Sequence, residues 1–210
     1  MAAHRWSLHP THPQRRVIDQ VVARLLDDGV VASPTDACYS LICKLDNKGA
    51  EARMRAIRHL DQAHSFSLFC RDVGEAALYA KIDNAAFRLM KKLTPGPFTF
   101  ILPATRETPR RLQDPKRRMV GIRIADQPFI RGLSEALGEP LLGTTLVDEV
   151  SGLPFAEPDD IVARLGHAID GVADAGAIGI ETTTVLDLSQ SLPQLIRQGC
   201  GDASGVVDLA

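Results

Sequence analysis

The sequence predicts a single α/β domain built on a twisted mixed β-sheet with helices packed around it. Helix-like and strand-like segments alternate along the chain, and no linker, internal repeat or low-complexity tract interrupts them. A chain of 210 residues can form one substantial core or at most two small domains. Alternation of this kind is typical of layered α/β architectures.

In the first half of the chain, helical periodicity alternates with short apolar segments. Val17, Val21 and Leu25 lie one helical turn apart, and Gly29 after them is a good helix stop. The strand that follows must end before Pro34, which cannot donate a hydrogen bond to a sheet. The predicted helices are 11–28, 50–59, 73–80 and 84–93, and the predicted strands are 30–33, 39–45, 65–70 and 98–102.

In the second half, prolines and basic residues first interrupt the pattern. Pro109 and Pro115 make 105–118 a predicted loop with at most one helical turn. Apolar segments and an amphipathic pattern then resume. The predicted helices are 128–137 and 159–165, and the predicted strands are 119–124, 141–144, 171–173, 183–188 and 194–197.

Composition excludes several classes of protein. The net charge is −2, so the molecule as a whole does not attract nucleic acid. The chain lacks an apolar run of the ~20 residues that a bilayer requires, and its N-terminus lacks the apolar segment of a signal peptide. We therefore expect a cytoplasmic protein without membrane contact. The spacing of the four cysteines and six histidines also predicts no metal held by the protein alone.

The common nucleotide-binding and hydrolase motifs are absent from the sequence. It contains neither Gly-x-x-x-x-Gly-Lys-Ser/Thr nor Gly-x-Gly-x-x-Gly, and no Gly-x-Ser-x-Gly. A functional site must therefore be assembled from strand ends and from isolated basic or hydroxyl residues.

Five short motifs at predicted strand ends carry a family resemblance. They are Pro-Thr at 34–35 with Tyr39, Thr-Pro-Gly-Pro-Phe-Thr at 94–99, Val-Gly-Ile-Arg-Ile at 120–124, Thr-Thr-Thr-Val-Leu-Asp at 182–187 and Ile-Arg-Gln-Gly at 196–199. In this order they resemble the YrdC/YciO family, and segments 57–60, 69–72 and 87–92 are most similar to its YciO branch. The resemblance predicts a YrdC-like domain over 12–200, with an N-terminal extension, 1–11, and a C-terminal tail, 201–210.

The resemblance also implies ligands. Well-described members make threonylcarbamoyl-AMP from threonine, bicarbonate and ATP for tRNA modification. It implies threonine and ATP or AMP as ligands, with Mg-ATP as substrate and no tightly bound cofactor. The site residues that it suggests are Thr35, Arg58, Thr99, Arg123, Thr144, Thr183 and Arg197.

Five of these residues also have a structural interpretation. Thr35 could cap its turn, Thr99 could be an ordinary β-branched strand residue, and Arg58 could be a solvated cation at a helix end. Arg123 lies between apolar neighbours on a predicted central strand and therefore needs an anionic partner, either a ligand or a carboxylate of the protein. Arg197 on its own predicted strand likewise needs an anionic partner, either a ligand or a carboxylate of the protein.

Three departures from the family pattern leave catalysis open. Arg58-His59-Leu60 stands where the family enzymes carry Lys-x-Arg, 144–146 (Thr-Thr-Leu) replaces Ser-Ala-Asn, and Ser40 replaces a glycine. Loss of one charged phosphate contact typically costs ~2–4 kcal/mol of transition-state stabilisation. We therefore predict an RNA- and nucleotide-binding protein, with an active L-threonylcarbamoyladenylate synthase as the alternative.

The RNA prediction rests on one basic loop. Its cations are Arg106, Arg110, Arg111, Lys116, Arg117 and Arg118. The family is associated with duplex RNA and tRNA, and such a cluster on a concave face would supply phosphate contacts. The alternative is an ordinary solvated surface. The sequence leaves the oligomeric state open, including a homodimer.

Overall fold

The computed structural model describes residues 3–61 and 64–205 and confirms a mixed α/β fold. Ten strands and six α-helices lie in these ranges, with a short 3₁₀ turn at Arg110–Leu112. The strands are β1 His4–Ser7, β2 Val31–Ser33, β3 Ser40–Lys44, β4 Ser67–Phe69, β5 Phe98–Pro103, β6 Met119–Arg123, β7 Leu141–Thr145, β8 Gly171–Asp174, β9 Thr184–Asp187 and β10 Gln194–Arg197. The helices are α1 Arg15–Leu26, α2 Lys48–Ile57, α3 Val73–Tyr79, α4 Asn84–Leu93, α5 Pro128–Leu137 and α6 Pro158–Leu165.

All ten strands form one sheet, in the order β1-β8-β2-β3-β7-β4-β6-β5-β9-β10. Parallel pairs join β1 to β8, β8 to β2, β4 to β6 and β5 to β9, and the remaining neighbours are antiparallel. The sheet is therefore mixed, as the alternating pattern predicted.

The N-terminal segment 1–11, predicted as an extension, contributes strand β1 to this sheet. His4–Ser7 pairs with β8, and Trp6 is buried under it. At the other end, the backbone of Gly201 accepts a hydrogen bond from the Thr184 hydroxyl, and Ala203 is buried. The sheet therefore extends beyond the predicted start at 12, and the tail packs on it as far as Ala203. Residues 206–210 of the predicted tail lie outside the described residues.

Helices cover the two faces of the sheet unequally. On one face, α2, α3, α4 and α6 contribute to a large apolar core. On the other face, α1 and α5 pack on side chains from β1, β8, β2, β3, β7 and β4. No described residue of β6, β5, β9 or β10 belongs to this second core, so that part of the face lacks a helical cover.

None of the helices in the described ranges combines the length and the apolarity that a bilayer crossing requires.

Candidate functional site

The uncovered part of the sheet carries a cavity of about 400 Å³. Small residues on adjacent strands form part of its floor. A Cβ atom on Gly143 would lie 2.5 Å from the Phe69 ring, and one on Gly121 would lie 3.0 Å from the Ser67 hydroxyl oxygen. Glycine at both positions therefore lets neighbouring side chains pack close to the strands and contributes to the space above them.

The Pro-Thr turn at the end of β2 is held by its own threonine. The Thr35 hydroxyl donates to Cys38 O at 2.7 Å and accepts from the backbone N–H groups of Ala37 and Cys38. These bonds use the donor and both acceptor positions of the hydroxyl, and Arg123 Nη2 also lies 3.5 Å from its oxygen. Thr35 is buried and is not among the residues that line the cavity, so its observed contacts fit turn capping.

Arg123 projects from β6 on the cavity face and is 4% exposed. Its Nη2 donates to Asp36 Oδ1 at 2.6 Å, and its guanidinium lies 4.6 Å from the centre of the Phe69 ring. Asp36 also accepts the backbone N–H of Asp126, which ties the Pro-Thr turn to the segment after β6. Burial lowers the pKa of Arg123, and Asp36 opposes that effect. The anionic partner that the sequence required is thus a carboxylate of the protein, although the Nε atom has no partner among the described residues.

Arg58 lies at the C-terminal end of α2 and joins that helix to β7. Its Nε donates to Thr145 O at 2.8 Å, and Nη1 donates to Val147 O at 3.2 Å. Burial lowers the pKa of Arg58, with Glu149 acting in the opposite direction. The side chain lines the cavity and is half-buried, so it is not a solvated cation at a helix end.

Thr99, Thr183 and Arg197 meet on the opposite wall, as a shared site requires. The hydroxyl oxygens of Thr99 and Thr183 are 2.7 Å apart. Arg197 donates from Nη2 to Thr183 O at 3.0 Å, which places its guanidinium beside these two hydroxyls. All three residues line the cavity.

Thr144, the remaining predicted site residue, contacts a histidine that the sequence did not single out. His64 Nε2 lies 3.2 Å from Thr144 Oγ1, and both residues line the cavity. Burial is the largest cause that lowers the pKa of His64, followed by the charges of Arg55 and Arg58, whereas Asp61 raises it. No spacing signal could have identified His64, because its partner is 80 residues away.

The basic loop divides into cations with different surroundings. Arg111 donates to Glu51 and Asp46, at 2.9 and 3.1 Å, and the buried Glu51 carboxylate also accepts from Arg55 at 3.1 Å. Arg111 is therefore engaged within the protein, and Lys116 is exposed. The other four cations predicted to bind RNA line a separate groove of about 940 Å³ together with Lys81; they are Arg106, Arg110, Arg117 and Arg118.

Arg117 connects this groove to the cavity. Its Nη2 donates to Asp187 at 2.8 Å, and Arg117 and Asp114 line both depressions. Residues 3–61 and 64–205 contain no group of three or more His, Cys, Asp or Glu side chains arranged to hold a metal. The polar side chains that line the cavity in these ranges are arginines, hydroxyls, one imidazole and the carboxylate of Asp114.

The chain is similar in sequence and in fold to several known proteins. The family model of Sua5, YciO and YrdC, described as "Telomere recombination", matches residues 23–199. The YciO protein of Escherichia coli K12 is 44% identical over 195 residues, which cover 93% of this chain and 95% of YciO. The crystal structure of E. coli YciO superposes with a TM-score of 0.93 at 41% identity, covering 98% of this chain and 100% of that one.

Two further relatives are more distant. Threonylcarbamoyl-AMP synthase of Mus musculus is 31% identical, covering 85% of this chain and 65% of the mouse protein. The structure of P. abyssi Sua5 complexed with L-threonine shares the fold, with a TM-score of 0.83 at 22% identity over 93% of this chain and 57% of Sua5. The chain belongs to the Sua5/YciO/YrdC family.

Proposed function

We propose that the cavity binds a nucleotide together with a small amino acid, in a protein related to threonylcarbamoyl-AMP synthesis. One observation carries the proposal: facing walls each present an arginine without an ion-pair partner in the described ranges. These are Arg58 and Arg197, which main-chain carbonyl groups orient but do not neutralise. Arg58 is half-buried and Arg197 is exposed, and a guanidinium without a carboxylate partner favours a phosphate or carboxylate ligand.

The rest of the lining is compatible with such a ligand. Thr99, Thr144 and Thr183 offer hydroxyls that can donate to or accept from it, and a cavity of about 400 Å³ is within the range of small-molecule sites. The names of two relatives support the ligand class: one is a threonylcarbamoyl-AMP synthase, and the other was solved with L-threonine. Magnesium would enter with ATP, because Mg²⁺ is commonly held by substrate phosphates.

Calorimetric titration of the protein with AMP, Mg-ATP and L-threonine tests this proposal. We expect Arg58→Ala and Arg197→Ala each to weaken nucleotide binding by about tenfold or more, because each removes a charge-assisted contact. Arg15→Ala is the matched control, since Arg15 is exposed on α1 and pairs with Asp19. Absence of binding, or equal weakening by all three variants, contradicts the proposal.

Synthesis of L-threonylcarbamoyladenylate is the second candidate function. Leu60, which stands where the family resemblance places a second cation, packs against the large core. Arg58 therefore acts without that cation on its wall, and we propose a weak enzyme. Pyrophosphate release that depends on threonine, bicarbonate and Mg-ATP tests it. If the wild-type protein releases no more pyrophosphate than the Arg58→Ala variant, the proposal of catalysis is wrong, whereas the binding proposal is unaffected.

We also propose that the basic groove binds duplex RNA or tRNA, in the cytoplasm. Four of the six cations predicted to bind RNA line it, and it adjoins the cavity at Arg117. Arg117 is paired with Asp187, so three phosphate contacts would give a slope of about −2 to −3 for log K against log salt, and each lost contact would reduce its magnitude by about one. Arg106→Ala and Arg110→Ala should show that reduction, and Arg15→Ala should not. Binding that does not respond to salt contradicts the proposal.

Light scattering with and without RNA would determine whether the protein forms a homodimer.

A further inference from the structure

The cavity contains few groups that can take up a proton near neutral pH. Among the described residues that line it, His64 and Asp114 are the carboxylate or imidazole side chains. Asp114 Oδ1 already accepts the backbone N–H groups of Lys116 and Arg117, at 3.0 and 2.5 Å, which hold the carboxylate in its own turn. His64 is therefore the better placed of the two to serve a ligand.

Neighbouring elements orient the His64 side chain. Nε2 lies 3.2 Å from Thr144 Oγ1 on β7, and the ring meets Phe66 edge-on with 5.9 Å between centroids. The backbone carbonyl of His64 accepts a hydrogen bond from Arg55 Nη1 at 3.1 Å. The imidazole and the threonine hydroxyl thus face the same cavity as a contacting pair.

Burial and nearby positive charges favour the neutral form of the His64 ring. Burial and the charges of Arg55 and Arg58 lower its pKa, whereas Asp61 acts in the opposite sense. A neutral imidazole retains one nitrogen lone pair that can accept a proton. An anionic ligand beside Arg58 would offset a positive charge and raise the pKa of His64.

We propose that His64 and Thr144 form the proton-accepting pair of this cavity, acting on the amino group of a bound amino acid. This inference rests on the proposed function, because it requires an amino-acid substrate. One N–H bond of the substrate ammonium breaks, and its electron pair remains on nitrogen as a lone pair. The proton passes to Thr144 Oγ1 while the hydroxyl proton moves to His64 Nε2. The hydroxyl is restored, the imidazole becomes an imidazolium, and the amine becomes a neutral nucleophile.

The pH dependence of threonine-dependent pyrophosphate release tests the pair. In the wild-type protein, release should fall as pH drops through the pKa of His64, because the protonated ring cannot accept a proton. We expect His64→Gln to lower the rate by about 100-fold, to abolish this acidic limb and to leave threonine affinity unchanged. Thr144→Val should also lower the rate, and Thr144→Ser should restore it.

His59→Gln is the matched control. His59 is exposed, pairs with Glu149 and lines a different depression from the cavity. Its substitution should leave both the rate and the pH profile unchanged. If the wild-type protein is active and its His64→Gln variant retains the rate or the acidic limb, the proposed pair is wrong, whereas the proposed function is unaffected.

Proton NMR titration supplies a measurement that does not need turnover. Addition of AMP should raise the pKa of His64. If the protein binds AMP without turning over threonine, an unchanged His64 pKa overturns the inference. A wild-type protein that binds neither AMP nor threonine removes the proposed function, and this inference with it.

Discussion

The buried pair between Asp36 and Arg123 supports a sharp prediction about stability. The side chains are 7% and 5% exposed, and the contact distance is 2.6 Å. Asp36→Asn keeps the size of the side chain but leaves the Arg123 charge without its carboxylate. Breaking a buried pair in this way typically costs about 3–5 kcal/mol. In a protein of this size, that loss corresponds to a fall in Tm of about 6–20 °C.

Thermal and urea unfolding of a matched set of variants measure this cost. Asp19→Asn removes the exposed pair with Arg15, whose side chains are 55% and 75% exposed, and should cost less than about 0.5 kcal/mol. Asp36→Asn combined with Arg123→Met should be more stable than Asp36→Asn alone, because no buried charge remains. If Asp36→Asn costs no more than Asp19→Asn, the pair is not the buried contact that the geometry indicates.

Three further outcomes are expected. Ser40→Ala should leave the free energy of unfolding in urea unchanged or higher, because the buried hydroxyl has no partner among the described residues. A decrease in that free energy above about 1 kcal/mol would show that the hydroxyl has a hydrogen-bond partner. Gly143→Ala should cost about 1–3 kcal/mol in the same assay, because its Cβ would lie 2.5 Å from the Phe69 ring; an unchanged midpoint would contradict that crowding. Burial tends to raise the pKa of Asp187, but hydrogen bonds from Ser189 and Arg117 lower it overall. The ionised carboxylate therefore stabilises the folded protein above the unfolded pKa of about 3.9, and this stabilisation is lost as pH falls through the depressed folded value. Asp187→Asn should remove that part of the pH dependence in acid urea titrations, and identical profiles would refute it.

Helices with strong local signals could be predicted from the sequence almost to the residue. The Asp83 side chain accepts the backbone N–H of Ala86 at the start of α4, and Gly138 adopts a left-handed φ of 73° at the end of α5. Both helices have their predicted bounds because capping depends on nearby residues. Strand β1 lacks such a signal: it has four residues, of which Trp6 is the one buried residue, and its partner strand begins at Gly171.

Six of the seven site residues that the resemblance suggested line the cavity, whereas Thr35 does not, and His64 was not foreseen. Thr99, Thr183 and Arg197 come together as the motifs implied, since each lies in or next to a strand of the same sheet. The engagement of Arg111 with Glu51 could not be foreseen, because 60 residues separate them. Long-range pairing depends on the order of the strands, and local periodicity contains no information about that order.

The unequal helical cover described above has a geometric consequence. Neighbouring strands lie about 4.8 Å apart, so a sheet of ten strands is roughly 43 Å wide. Two helices packed about 10 Å apart cover roughly half of that width. Half of this face is open because the sheet is wider than the two helices that pack on it, and not because the hydrophobic core is incomplete. Side chains that point into the open half from β5, such as Thr99 and Ile101, lie outside the core that α1 and α5 form, unlike Arg123 on β6, which pairs with Asp36 and contacts Phe69. Such positions on β5 give this architecture room to acquire new ligand preferences at small cost in stability.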